Sequence, residues 1–286
     1  MSPTLLQIIV LGLIQGAAEL LPVSSSAHVI VAEKLMHLDP TSPEMTFMLV
    51  MLHTGTMFAV IAYFWKAWRQ SFFSSRAIFF DTVKKVLVAT ACTGVLGLAL
   101  KTLIEKAFLT GDKAEIEHLF GSLPLIAAAL AVGGGFILVA AIRTRADSGR
   151  DEIGLPAAGW IGAVQGLVLP FRGFSRSGGT ISAAMLAGVG RRRAEEFSFA
   201  LAVVITPPVI VRELHRLLKA HLDTATTAHL THLVAPGLFG MLCSFAAGLL
   251  ALRWLSSWLE KGRWSFFGYY CIGAAIVIGL LAAAGY

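Results

Sequence analysis

The sequence predicts an all-α integral membrane protein: six transmembrane helices plus two re-entrant helix-loop-helix hairpins, arranged as an inverted repeat. Three observations carry that prediction. Of the 286 residues, 56% are hydrophobic and only 14% charged, with a mean hydropathy of +0.75, a composition foreign to water-soluble globules. Nearly charge-free stretches such as 45–65, 118–142 and 264–286 reach the roughly 20 residues that a helix needs to cross a bilayer, and the alternation of a membrane β-barrel is absent. Finally, regions 3–36 and 154–190 are each long enough for two helical pieces but are broken by "LLPVSSSAH" and "LPFRGFSRSGG". Polar, helix-terminating breaks survive at membrane depth only where protein or a wet cavity shields their backbone from lipid.

Taken in order, region 3–36 reads as the first hairpin, with Pro22 expected to stop its first helix and the serines to open its second. No basic run precedes the apolar stretch within residues 1–30 and no small-residue cleavage site follows it, so this segment is expected to belong to the fold rather than to a secretory signal. Spans are predicted at 45–65, 84–104 and 118–142. The second hairpin occupies 154–190, and further spans follow at 196–217, 233–255 and 264–285. Pro207 and Pro208 should kink the fourth span. Cys92, Cys243 and Cys271 lie singly in apolar runs and read as packing residues, while 28 glycines favour close helix packing.

The two broken regions resemble each other. Gly12, Gln15, Gly16 and Ser25 match Gly162, Gln165, Gly166 and Ser175 at a constant offset of 150, which reads as a duplication within one membrane domain, with halves at about 1–142 and 154–286. Three spans follow each hairpin, and an odd number turns the second copy upside down. Segments 66–85, 143–150, 191–193 and 253–263 carry fourteen Lys and Arg, against seven in 33–44, 101–117 and 212–223. The richer set is expected in the cytoplasm. Both termini and the first hairpin then face outward, and the second hairpin enters from the cytoplasm to meet it near mid-membrane, the arrangement that marks a central binding site. The net charge of +6 does not indicate nucleic acid, because the basic residues sit at the ends of apolar runs. Arg191, Arg192 and Arg193 are expected at anionic headgroups.

The chemistry lies in the breaks. Gln15 and Glu19 share one helical face, and a carboxylate inside a membrane costs about 2.5–3.5 kcal/mol at the centre. Ser24, Ser25 and Ser26 fall at a helix start, where free N–H groups and hydroxyls suit an anion such as phosphate, with His28 in the first turn. The second break supplies Arg172 and Arg176, whose planar forks match two phosphate oxygens. Ser175, Ser177, Gly178, Gly179 and Thr180 look like a phosphate-cradling turn that opens a helix. Plainer readings are that the serines are caps and that the arginines snorkel. His53 either lines the same cavity or is a hydrogen-bonded core histidine; His221, His229 and His232 read as a solvated loop rather than a metal site.

"QGAAELLPVSSSAH" and "GFSRSGGTIS", in this order and at this separation, resemble the two signature regions of the bacterial undecaprenyl-diphosphate phosphatases, which are linked to bacitracin resistance, and the resemblance covers nearly the whole chain. It implies hydrolysis of a polyprenyl diphosphate to the monophosphate that carries cell-wall precursors, in the bacterial cytoplasmic membrane among membrane lipids, assisted by Mg2+ or Ca2+. By matching position it implies roles for Glu19, also a metal ligand, and for Ser25, His28 and Arg176. An acidic position in some members is Gln15 here, which leaves one carboxylate for a metal, and a proline that usually precedes the glycine of the second motif is replaced by Arg172. Analogy alone suggests a homodimer. The expected site therefore comprises Glu19, Ser25, His28 and Arg176 as catalytic residues, with Gln15, Ser24, Ser26, Arg172, Ser175, Ser177, Gly178 and Thr180 as substrate-binding residues.

The nucleophile stays open at this point: Ser25 with His28 as base, His28 itself, or water activated by Glu19. The first is narrowly favoured, because residues three apart at a helix start can share a face. The competing function is a polyprenyl-phosphate flippase or anion transporter that uses the same mid-membrane pocket, since fold does not settle function.

Overall fold

A computed structural model describes residues 3–19, 21–108, 119–144, 149–220, 227–261 and 264–285. Among them are ten helices: α1 (Leu5–Ala18), α2 (Ser25–Leu35), α3 (Pro43–Ser71), α4 (Arg76–Phe108), α5 (Leu123–Arg143), α6 (Leu155–Val168), α7 (Arg176–Leu186), α8 (Arg191–Ala220), α9 (Thr227–Lys261) and α10 (Ser265–Ala283). Six of them, α3, α4, α5, α8, α9 and α10, are long and apolar enough to cross a membrane. The protein is an all-helical, multi-pass membrane protein. At 1.5 Å per residue, a 14-residue helix such as α1 or α6 is about 21 Å long, short of the roughly 30 Å hydrocarbon core.

Local sequence accounts for the ends. Thr4 and Gln7 form a reciprocal capping box at α1. Ser42 accepts from the Met45 N–H ahead of α3, and proline occupies the first turn of α3, α5 and α6, where its missing donor costs nothing. Several helices exceed their predicted spans. The span expected at 84–104 is α4, Arg76–Phe108, and the one expected at 233–255 is α9, Thr227–Lys261. Hydropathy sees only the apolar middle of a helix, and polar turns continue it into the interface. Pro207 and Pro208 lie inside α8, which runs unbroken across them.

Helix lengths recur in the two halves: 14, 11, 29, 33 and 21 residues in α1 to α5, then 14, 11, 30, 35 and 19 in α6 to α10. Packing crosses between them. The first short helix of each half lies against the fourth helix of the other, α1 on α9 and α6 on α4, while α3 meets α8 and α5 meets α10. Both cross-packings need a residue without a side chain. A Cβ on Gly16 would fall 2.4 Å from the Ala247 Cβ, and one on Gly166 would fall 2.7 Å from the Thr93 carbonyl oxygen. The largest buried cluster contains Leu11, Leu52, Ile126, Ile161 and Phe197, whereas Leu87, Val95, Val132, Ile142 and Leu280 are exposed, as a lipid-facing surface requires.

Arg191 and Arg193, expected at lipid headgroups, are engaged by the protein. Arg191 pairs with Glu195 at 2.9 Å and lies over Trp264, and Arg193 pairs with buried Glu196 at 2.9 Å and donates to the Asp151 carbonyl. The three cysteines are free. His221 and the side chains of His229 and His232 lie outside the described residues.

Candidate active site

The loops between α1 and α2 and between α6 and α7 converge, and each is built on the same local plan. Glu19 caps α1 by donating its N–H to the Gln15 carbonyl, and Leu169 caps α6 by donating to Gln165. The stop expected at Pro22 comes earlier in the structure: α1 ends at Ala18 with Glu19 as its C-cap, so Pro22 lies beyond the helix rather than terminating it. Ser24 then sits at the start of α2 with φ 65 and ψ 81, and its hydroxyl makes no capping bond. In the second loop Gly173 takes up the left-handed conformation, φ 106. Ser175 does cap α7, its hydroxyl accepting from the Gly178 N–H at 3.0 Å.

The side chains meet at Glu19. Its Oε1 accepts from Arg176 Nη2 at 2.8 Å; its Oε2 accepts from Ser25 Oγ at 2.5 Å and from Gln15 Nε2 at 2.7 Å. His53 of α3 completes the group, with Nε2 3.5 Å from both Glu19 Oε2 and Ser25 Oγ. The other ring nitrogen of His53 lies 2.7 Å from the Leu49 carbonyl. A carbonyl only accepts, so Nδ1 carries a proton, and Nε2 is the ring atom that faces Ser25 and Glu19. Gln15 reaches Thr56 at 3.5 Å as well, and Arg176 Nη1 donates to the Ser198 carbonyl at 3.5 Å. Carboxylate and guanidinium side chains are 10% and 20% exposed, so the pair is largely removed from water, where charge-assisted bonds are strongest.

Glu19, Ser25, His53 and Arg176 open onto a cavity of ≈ 550 Å³, which Arg172 and Arg212 also line. Much of the remaining wall is apolar and includes Leu98 of α4 and Val204 and Pro208 of α8. Charged groups set in a largely apolar wall suit a phosphorylated lipid.

Of the predicted residues, Gln15, Ser25 and Arg176 each bond Glu19, and Ser24, Ser26, Arg172, Ser175 and Ser177 line the cavity. Arg172 lies 4.3 Å above the Phe120 ring. Gly178 and Thr180 are not among the lining residues. A Cβ on Gly178 would lie 2.9 Å from Ile137 Cδ1, and buried Thr180 bonds the Arg176 carbonyl and Ser198 Oγ. His28 does not reach Ser25. Its Nδ1 lies 2.8 Å from the Ser24 carbonyl and its Nε2 lies 2.7 Å from the Tyr270 hydroxyl. One turn of helix explains this: at i, i+3 the imidazole stacks back over the preceding peptide rather than over the serine hydroxyl. Thr56, Ser198 and Tyr270 carried no motif signal; the first two are polar residues inside apolar runs, the only hint available.

A model of the family described as "Bacitracin resistance protein BacA" matches residues 8–277. The chain belongs to the BacA family. Similar relatives include the undecaprenyl-diphosphatase 2 of Acinetobacter baylyi, 57% identical over 281 residues covering 97% of this chain and 98% of the relative. The undecaprenyl-diphosphatase of Desulfosudis oleivorans is 33% identical over 301 residues (96% and 98% covered), and that of Rhodopirellula baltica is 29% identical over 279 residues (97% and 98% covered). The BacA match spans both loops, so the convergence of Glu19, Ser25 and Arg176 lies wholly inside the region that defines the family.

Proposed function

We propose that the chain is a membrane-embedded undecaprenyl-diphosphatase, releasing inorganic phosphate from undecaprenyl diphosphate and leaving undecaprenyl monophosphate. The observation that carries this is the contact of Ser25 Oγ with Glu19 Oε2 at 2.5 Å, with Arg176 on the opposite carboxylate oxygen. A carrier needs a cation for its anionic cargo; it has no use for a hydroxyl already aligned with a base.

In this reading the lipid's terminal phosphate binds between Arg176 and the start of α2, and the isoprenoid chain lies along the α4–α8 walls. Ser25 Oγ attacks the terminal phosphorus while its proton passes to Glu19 Oε2. The bond from that phosphorus to the bridging oxygen breaks, and the lipid monophosphate departs. Arg176 holds charge that develops on the transferred group. Water then attacks the phosphoserine, giving its proton to His53 Nε2, while Glu19 returns its proton to Ser25 Oγ; inorganic phosphate leaves and takes the proton from His53, which restores the starting state. His53 thus replaces His28 as the histidine beside the nucleophile.

Among the described residues no group of three His, Cys, Asp or Glu is placed to hold a metal ion. Two carboxylates line the cavity, Glu19 and Glu213; Glu19 is the one bonded to Ser25, the Ser24 and Ser26 side chains line the same cavity, and Gln15 Oε1 is buried with no hydrogen-bond partner. Hard oxygen donors of this kind fit a Mg2+ or Ca2+ ion held mainly by Glu19 and the substrate's own oxygens, since Mg2+ commonly binds through one or two carboxylates plus phosphates. Such an ion would supply further neutralisation of the diphosphate.

The same reading places α1–α2 and α6–α7 as half-membrane hairpins entering from opposite faces of the bacterial cytoplasmic membrane, in inverted repeats, with both termini outward. The decisive experiment uses the purified protein in detergent, without a gradient. Phosphate release from undecaprenyl diphosphate is expected, reduced roughly 10³-fold or more by Glu19→Ala and by Arg176→Ala. Binding of the lipid without turnover would support the carrier reading instead.

A further inference from the structure

Ser24 is one of two described non-glycine residues with positive φ, in a conformation that brings a Cβ against the following carbonyl and persists only where its surroundings impose it. The Ser24 side chain does not impose it, since its hydroxyl makes no cap and lies only 3.4 Å from Ser26 Oγ. Support comes from outside the loop. His28 Nδ1 donates to the Ser24 carbonyl at 2.8 Å, and the Tyr270 hydroxyl donates to His28 Nε2 at 2.7 Å, with the two rings stacked at 5.7 Å and 17°. The next residue, Cys271, points its Sγ at the Pro22 carbonyl, 3.5 Å away. Two successive residues of α10, from the other half of the chain, therefore hold the loop that presents Ser25.

Both ring nitrogens of His28 are occupied in this arrangement. One faces a carbonyl, which fixes the proton on Nδ1, and the other accepts from a phenol. We propose that Tyr270, acting through His28, is a positioning residue for the hydrolysis: the pair locks the Ser24 peptide in its left-handed conformation and so aims Ser25 Oγ at Glu19 and the phosphorus. This rests on the reading of Ser25 as nucleophile. It assigns His28 to geometry rather than to proton transfer and gives α10 a part in the site that no motif announced.

Glycine adopts the left-handed conformation without help, which makes the inference testable by rescue. With undecaprenyl diphosphate in detergent, Tyr270→Phe is expected to lower kcat about 10-fold, and His28→Ala to lower it more, with KM changed less than about 2-fold. In a Ser24→Gly background the same two substitutions should each cost no more than about 3-fold. Ser24→Ala, which removes the same hydroxyl but keeps the Cβ, should give no such relief. A His28→Ala loss that is undiminished in Ser24→Gly overturns the proposal and returns His28 to direct proton transfer. Amide hydrogen exchange gives a readout independent of turnover. Tyr270→Phe should speed exchange in residues 21–28 and leave 172–180 unchanged; an unaltered 21–28 segment overturns the proposal even if the wild type proves inactive on this lipid, whereas that inactivity alone would sink only the assigned reaction.

Discussion

The α1–α2 and α6–α7 loops can be laid over one another residue by residue, and their differences locate the chemistry. Each is capped in the same way, by a residue whose N–H returns to a buried glutamine's carbonyl, but the capping residue is Glu19 in one and Leu169 in the other. Ser25 and Ser175 correspond in sequence, yet Ser25 bonds a carboxylate while Ser175 caps a helix. Where the first loop has Ser26, the second has Arg176, which reaches across to Glu19. The local plan recurs and the polar groups are divided. The carboxylate and the serine hydroxyl come from one loop and the guanidinium from the other, so the cluster needs both loops.

The largest expected effect tests that division at its most similar position. Ser25→Ala should reduce kcat by roughly 10³-fold or more, as loss of a nucleophile does. Ser175→Ala removes an N-cap worth about 1 kcal/mol, so it should lower the melting temperature measurably and change kcat only a few-fold. Comparable kinetic losses in the two variants would break the comparison. His53→Gln comes next, because it deletes the base assigned to the second step while keeping a polar side chain in place. We expect a loss of about 10²-fold in kcat together with accumulation of phosphorylated protein, detectable by mass spectrometry of quenched reactions. Unchanged turnover would return His53 to a purely structural role.

Much of this was legible in the sequence, and the boundary has a physical basis. Composition and apolar runs identified the six long helices, and the two polar interruptions identified the paired short ones, because the bilayer penalises each interruption. Glu19, Ser25 and Arg176 were legible for the same reason. What escaped was contact between residues distant in the chain. His28 and Ser25 are neighbours in sequence and suggested a base and its nucleophile, but helical geometry turns His28 toward Ser24 and Tyr270, 242 positions away. His53 could be singled out as polar, while its partner could not be named until α3 was docked beside the loop. Ser198, which receives Arg176 through its carbonyl, used a backbone atom that every residue possesses.

Where the two copies do the same work, matched substitutions should cost the same. Gly16→Ala meets the Ala247 Cβ at 2.4 Å, and Gly166→Ala meets the Thr93 carbonyl at 2.7 Å. Both force apart a short helix and the fourth helix of the opposite half, and overpacking of this kind costs typically about 1–3 kcal/mol. Thermal unfolding in detergent should show losses of similar size for the two. A large loss in one and none in the other would mean that the halves are not equivalently packed around their loops.

The smallest effect belongs to a residue that one copy has and the other lacks. The position matching Pro22 in the first loop is Arg172 in the second, where it lies over Phe120 and lines the cavity. A guanidinium over an aromatic face contributes on the order of 0.5–1 kcal/mol when exposed and about 2 when desolvated, and from there it can attract the diphosphate without touching the reacting phosphorus. Arg172→Gln is therefore expected to raise KM a few-fold with kcat nearly unchanged, the signature of lost uniform binding rather than lost transition-state stabilisation. Raising ionic strength should narrow the gap between variant and wild type, because attraction by the partly exposed Arg172 is screened more than the buried Glu19–Arg176 pair. A fall in kcat instead would place Arg172 among the groups that hold the transferred phosphate, and the cationic contribution of the second loop would then be two arginines rather than one.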